Sequence, residues 1–180
     1  MEIALFGGSF DPPHIGHLLA AAYVLATEPV DELWLLPVHE HPLGKKPSAS
    51  FDHRVLLCEQ AVRDLARVKV SRLEEELEGE GRTVDLLEHL HRARPHDRWA
   101  LVLGTDLVGE RPQWKRFERI AELSRIVILD RSGFSEGALL PEVSSTQVRS
   151  LLASRSSEVS RLVPRAVLDA IRAAGTYGTK

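Results

Sequence analysis

Short apolar runs alternate with longer stretches of helical spacing along the whole chain, and this rhythm restricts the fold more than any other feature. Residues 3–6, 32–37 (ELWLLP), 68–73, 99–103 (WALVL) and 125–129 (RIVIL) read as strands, with residues 141–143 as a final short one. Residues 16–27, 52–67, 83–94, a segment near 114–123, 146–154 and 164–174 read as helices. In the second of these Val55, Leu56, Ala61, Val62 and Leu65 share one side, and Asp52 is a plausible N-cap. The strands are apolar at nearly every position, so both of their faces must be covered. The expected fold is therefore α/β, a doubly wound parallel sheet with helices on both sides. No linker-like stretch interrupts the pattern. A single domain over residues 1–180 is expected, with a sheet-bearing core to about 145 and C-terminal helices over about 146–180.

Such sheets bind ligands beyond the carboxyl ends of their strands. Gly7-Gly8 follows the first strand and Gly104-Thr105-Asp106 follows WALVL, so both stand at that end. The net charge of -3 leaves no general attraction for nucleic acid or an anionic membrane, so any site for an anion must be local. Cys58 is the only cysteine, which excludes an internal disulfide and a thiolate zinc site. It lies in an apolar helical pattern and reads as a buried small side chain. No run approaches the ~18 apolar residues of a membrane span. Met1 leads straight into a strand-like run, and the expectation is a cytoplasmic protein.

The first strand runs into GGSFDPPHIGH, residues 7–17. Two glycines let backbone approach a ligand and permit positive φ. The helix that follows aims its free N–H groups and positive dipole end at the same place. His14 and His17, three apart, share a face if the helix has begun by His14, and imidazoles there can donate to phosphate oxygens. No G-K-S/T follows, so this is not a Walker A loop, and G-x-G-x-x-G is absent. The alternatives are a tight turn carrying histidines on a solvated helix end, or a zinc site that His39 and His41 would extend. No carboxylate or cysteine accompanies them.

GGSFDPPHIGH resembles the G-S/T-F-D-P-x-H-x-G-H signature of the HxGH nucleotidyltransferases. Near the other end, Val143-Ser144-Ser145-Thr146-Gln147-Val148-Arg149 is similar to that family's I-S-S-T-x-I/V-R. The resemblance implies a Rossmann-like sheet and covers nearly the whole chain. The second motif has its own logic. Ser145 or Thr146 is a natural N-cap, its helix leaves N–H groups facing a phosphate, and Arg149 one turn in can fork onto phosphate oxygens.

Within the superfamily, Gly104-Thr105-Asp106 with Trp114 and Lys115 and then residues 126–131, the Arg82-Thr83-Val84-Asp85 stretch, and the tail from Leu162-Val163-Pro164 to Tyr177 look like nicotinate mononucleotide adenylyltransferases. The resemblance implies that Thr83 helps hold a nicotinate carboxylate and that Trp114 covers the pyridine ring. Three departures bear on the acceptor: Gly81-Arg82 where the family has Ser-Tyr, HPLGKKP at 41–47 where it has P-P-H-K, and Thr105 where it has alanine. Lys46, or Lys45, would supply the loop cation; the alternative is a solvated loop charge. Arg54 stands between a phosphate contact and a surface role. Trp34 and Trp99 read as core, and Glu74-Glu75-Glu76 as a solvated face.

The resemblance implies adenylyl transfer from ATP to a pyridine mononucleotide, nicotinate mononucleotide first, giving deamido-NAD and pyrophosphate. It assigns His14, His17 and Arg149 to the reacting phosphates. Gly7, Gly8, Ser9, Phe10, Gly104, Asp106, Ser145, Thr146 and Lys46 would bind the nucleotide. Mg²⁺ would accompany ATP, held largely by substrate and water, with no protein metal site. The alternatives are phosphopantetheine or nicotinamide mononucleotide as acceptor, cytidylyl transfer, or a nucleotide sensor without turnover. No nucleic acid or membrane partner is expected, and a homo-oligomer is compatible with the sequence.

Overall fold

A computed structural model describes residues 1–39, 46–77, 83–105, 114–129 and 143–179. Its elements are β1 (Glu2–Gly8), α1 (Ile15–Thr27), β2 (Glu32–Pro37), α2 (Phe51–Val62), β3 (Val68–Val70), α3 (Leu73–Glu76) and α4 (Thr83–Ala93). They continue with β4 (Arg98–Gly104), α5 (Phe117–Leu123), β5 (Arg125–Leu129), α6 (Ser145–Ala153), α7 (Val159–Leu162) and α8 (Arg165–Ala174). The five strands form one parallel sheet in the order β3-β2-β1-β4-β5.

The uniform apolarity of the strands is explained by two cores. Along β1, Ala4 and Phe6 face a cluster with Ala20, Ala21 and Val24 of α1, Leu57 and Cys58 of α2, Val148 of α6 and Ile171 of α8. Ile3 and Leu5 face the other way, onto Val84, Leu87 and Leu90 of α4 and Ile120 of α5. In β4, Ala100 and Val102 join the first cluster, and Trp99, Leu101 and Leu103 the second. Truncating a buried leucine such as Leu5, which is fully buried, commonly costs about 2–5 kcal/mol. Trp99 is core as expected and meets the half-buried Trp34 edge-on at 5.8 Å. Among the described residues no helix is long and apolar enough to cross a membrane.

Several boundaries move from their sequence expectation. Helix α2 is capped by Ser50, whose hydroxyl oxygen accepts the His53 N–H at 3.3 Å, and not by Asp52. It stops at Val62, because Arg67 donates to the carbonyls of Leu25 at 2.7 Å and Val30 at 3.2 Å and turns the chain onto β3. Strand β3 ends at Val70; the Ser71 hydroxyl oxygen accepts the Leu73 N–H at 3.3 Å and starts the short α3. Helix α5 begins at Phe117, after Trp114. Val143 lies outside any strand, and the rest of the segment expected as a sixth strand falls outside the described residues. Helix α8 ends on Gly175 at φ 61°, a left-handed cap that glycine adopts without a Cβ clash.

Candidate active site

The strand order reverses direction between β1 and β4. The ladder joining them runs from Glu2 against Arg98 to Leu5 against Leu101. Beyond it β1 continues against β2 as far as Gly8, and β4 continues against β5 as far as Gly104. The two strands thus part company at their carboxyl ends, at the topological switch point where open α/β sheets bind ligands.

Gly7 and Gly8 close β1, yet neither uses the left-handed region; that conformation falls on Phe10, at φ 45°. What the glycines supply is space. A Cβ at Gly8 would stand 3.1 Å from the Phe10 ring, whereas one at Gly7 would meet nothing within 4 Å. Phe10 is 1% exposed and presents its ring to His17 at a centroid distance of 4.8 Å. Ser9 is held by its carbonyl, which accepts from Arg54 Nη1 at 2.8 Å.

His14 caps α1 from an extended conformation and is buried. Its backbone N–H donates to Nδ1 of His17 at 3.2 Å, and the two rings stack with centroids 3.7 Å apart. An accepting Nδ1 puts the proton of the neutral His17 ring on Nε2, leaving an N–H donor at its far end. The two rings thus come together although the helix begins only at Ile15, because His14 is its extended N-cap and not a residue of its first turn. Among the described residues no cluster of three His, Cys, Asp or Glu could hold a metal, and His41 falls outside them.

The far end of the chain docks on the residues just before His14. Helix α6 is capped by Ser144, whose hydroxyl oxygen accepts the Gln147 N–H at 3.2 Å; the expectation of Ser145 or Thr146 as cap is thus corrected by one residue. The shift frees the Ser145 hydroxyl to donate to the Pro12 carbonyl at 2.9 Å. Arg149 donates from Nη1 to the Asp11 carbonyl at 2.7 Å and from Nη2 to the Thr146 hydroxyl at 3.1 Å. By helix geometry the first N–H groups of α6 have no acceptor within the helix. Two imidazoles, a guanidinium and two helix N-termini therefore gather around one short loop, an arrangement suited to a polyphosphate.

Asp11 is the hub that sequence reasoning missed. Its buried carboxylate accepts Ser48 N–H at 2.6 Å, Ala49 N–H at 3.1 Å and the Tyr177 hydroxyl at 2.8 Å. Arg149 Nη1 stands 3.6 Å from its Oδ2. Arg54, 1% exposed, adds a longer 3.4 Å bond to the Ala49 carbonyl. Burial pulls that guanidinium down from its usual value, and the Asp11 charge opposes the shift. The surface role weighed for Arg54 is thus excluded: it braces the loop from inside. The available signal was the place of Asp11 in the quoted motif, as the one charged residue of GGSFDPP at 7–13.

The remaining candidates are more scattered. Gly104 ends β4 as expected, and Asp106 lies outside the described residues, as do Lys45 and Arg82. Lys46 is exposed, two residues before Ser48. Thr83 opens α4, and Trp114 is half-buried against the second core cluster, 6.4 Å from Phe117 ring to ring. Both belong to the sheet face opposite α1 and α6. Glu74 departs from the expected solvated face, because burial pushes its carboxyl up to about 7. Cys58 is fully buried, and burial raises its thiol.

Residues 5–151 match the Cytidylyltransferase-like family model, which makes the chain a nucleotidyltransferase. The chain is 45% identical over 185 residues to the probable nicotinate-nucleotide adenylyltransferase of Myxococcus xanthus (strain DK1622), covering 100% of this chain and 96% of that protein. It is 46% identical over 182 residues to the protein of the same description from Anaeromyxobacter dehalogenans (strain 2CP-C), covering 98% and 96%. The chain belongs to the nicotinate-nucleotide adenylyltransferase family. Its fold matches the Plasmodium falciparum nicotinic acid mononucleotide adenylyltransferase complexed with NaAD, at a TM-score of 0.83, 18% identity and coverage of 99% and 98%. The same enzyme complexed with APC gives a TM-score of 0.81 at 18% identity, again covering 99% of this chain and 98% of that one.

Proposed function

We propose that this protein transfers the adenylyl group of ATP to nicotinate mononucleotide, releasing pyrophosphate and forming deamido-NAD. The observation that supports the reading is the docking of Ser145 and Arg149 on the carbonyls of Pro12 and Asp11, immediately before the stacked rings of His14 and His17. An oxygen of the acceptor's phosphate attacks the α-phosphorus, and the bond from that phosphorus to the bridging oxygen of pyrophosphate breaks. The acceptor phosphate is already anionic, so no general base is required. The protein's task is to align two polyanions and to stabilise the charge that builds on the reacting and leaving phosphates.

His17 donates from Nε2 to the α-phosphate as it gains charge, and His14 holds oxygens beside it. The first N–H groups of α6, at Ser145 and Thr146, and the guanidinium of Arg149 receive the β- and γ-phosphates. Gly7 and Gly8 let the nucleotide approach β1. Trp114 stacks on the pyridine ring and Thr83 receives its carboxylate. A Mg²⁺ arriving on ATP would be held largely by phosphate oxygens and water, and would supply charge neutralisation on the triphosphate beside His14, His17 and Arg149. Pyrophosphate release with ATP and a panel of acceptors, then with CTP, tests the reading. Turnover confined to ATP with nicotinate mononucleotide is expected. Preference for nicotinamide mononucleotide, phosphopantetheine or CTP contradicts it, and nucleotide binding without turnover on any acceptor marks a sensor.

A further inference from the structure

Tyr177 is three residues from the end of the sequence, yet its hydroxyl donates at 2.8 Å to Oδ1 of Asp11, 166 residues away. Burial first, and then the hydrogen bond to Asp11, push the phenol upward, so it stays a donor throughout the physiological range. The Asp11 carboxylate is also served by the Ser48 and Ala49 N–H groups. Two guanidiniums flank it. Arg54 is committed to the carbonyls of Ser9 and Ala49. Arg149 is not so confined: its side chain is 31% exposed, its Nη1 donates to the Asp11 carbonyl at 2.7 Å, and the same nitrogen makes only a long ion pair, 3.6 Å, with Oδ2 of the Asp11 carboxylate. A small rotation of the guanidinium would exchange the neutral carbonyl for a close contact with the charged carboxylate. A buried carboxylate attracts such a partner more strongly as its other donors are withdrawn.

We infer that Tyr177 is a positioning residue whose hydroxyl, by donating to Oδ1 of Asp11, keeps the ion pair between Arg149 and Oδ2 long and so leaves the guanidinium available to the triphosphate. The tail of the chain thereby controls affinity for the polyphosphate substrate without touching it. Asp11 is the lever: the same carboxylate that organises the loop at Ser48 and Ala49 competes with ATP for Arg149, and the phenol sets the balance. This rests on the proposed function, in that Arg149 is taken to meet the triphosphate.

The test compares the wild type, Tyr177→Phe, and Tyr177→Phe combined with Asp11→Asn. Phenylalanine keeps the ring that packs against the first core cluster and removes only the hydroxyl. For each folded protein, ATP affinity is read by calorimetry without acceptor, and KM for ATP and for nicotinate mononucleotide by pyrophosphate release. Tyr177→Phe is expected to weaken ATP about ten-fold while the acceptor KM stays within about two-fold. The double variant is expected to regain most of the loss, because the neutral amide no longer captures the guanidinium. Equal weakening of both substrates, unchanged ATP affinity, an unfolded Tyr177→Phe protein, or a folded double variant no better than the single one overturns the inference. The split between the substrates is read on the single variant alone, so it stands whether or not the double variant folds. A wild type that binds ATP but does not turn over speaks against the proposed function instead, and calorimetry then still decides the role of Tyr177.

Discussion

Nδ1 of His17 accepts the backbone N–H of His14 at 3.2 Å, so the first residue of the pair fixes the ring of the second. The rings stack at 3.7 Å, and Phe10 closes against His17 edge-on. Orientation, tautomer and packing of the His17 imidazole are thereby set by two residues of the same motif, His14 and Phe10. Preorganised donors of this kind stabilise charge without reorganising during the reaction.

The glycine pair separates packing from substrate contact. At Gly8 an added methyl crowds Phe10, so Gly8→Ala displaces the ring that supports His17. A loss of about 1–2 kcal/mol in stability and a clear fall in kcat are expected. At Gly7 the backbone is compatible with alanine and the surrounding space is open. Gly7→Ala should leave stability unchanged or raise it by about 0.4–1 kcal/mol, while KM for ATP rises. Melting curves and steady-state kinetics on both variants check the contrast.

Arg54 is expected to matter for folding more than for substrate. Replacing it with alanine leaves the Ser9 and Ala49 carbonyls without their guanidinium and removes a positive neighbour of the buried Asp11. A loss of about 3–5 kcal/mol follows for such a truncation. Lysine retains charge but cannot span two carbonyls with one planar fork, so Arg54→Lys should recover only part of it. Denaturant unfolding measures both.

Trp114 separates the two substrates. Trp114→Ala should raise KM for nicotinate mononucleotide about ten-fold, with KM for ATP within about two-fold, and Trp114→Phe should keep most of the affinity. Equal effects on both substrates would assign the ring to the core instead.

Glu74 makes stability depend on pH. Its folded-state value of about 7 lies above the ordinary 4.5 because burial disfavours the charged form. The folded protein therefore holds this proton more tightly than the unfolded chain does. At pH below 4.5 both forms are protonated and nothing is lost. Between about 4.5 and 7 the unfolded chain ionises first and stability declines, by up to about 3 kcal/mol; above that range the loss is constant. Glu74→Gln should abolish this decline and exceed the wild type in stability at pH 8, as read from melting temperatures across pH.

Much of this architecture is visible in the residues themselves. Runs such as ELWLLP and RIVIL are apolar on both faces because helices cover both, and their bounds at Glu32–Pro37 and Arg125–Leu129 match the sequence reading. The two motifs are legible because they are contiguous. Helix starts were harder: Ser50 and Ser144 cap one or two residues earlier than Asp52 and Ser145, and neighbouring hydroxyls and carboxylates offer equivalent caps until tertiary contacts choose between them. Ser145 is drawn to Pro12, and Asp52 pairs with Arg72. Asp11, Arg54 and Tyr177 were hidden for the same reason. Their partners lie 37, 45 and 166 residues away in sequence, and no periodicity encodes such contacts.

The most direct measurement is kcat for pyrophosphate release from ATP and nicotinate mononucleotide by His17→Ala, with its melting curve recorded alongside. A folded protein whose kcat falls by on the order of 10²–10³ is the expected result. Near-normal kcat in a folded His17→Ala protein contradicts the assignment of His17 to the α-phosphate.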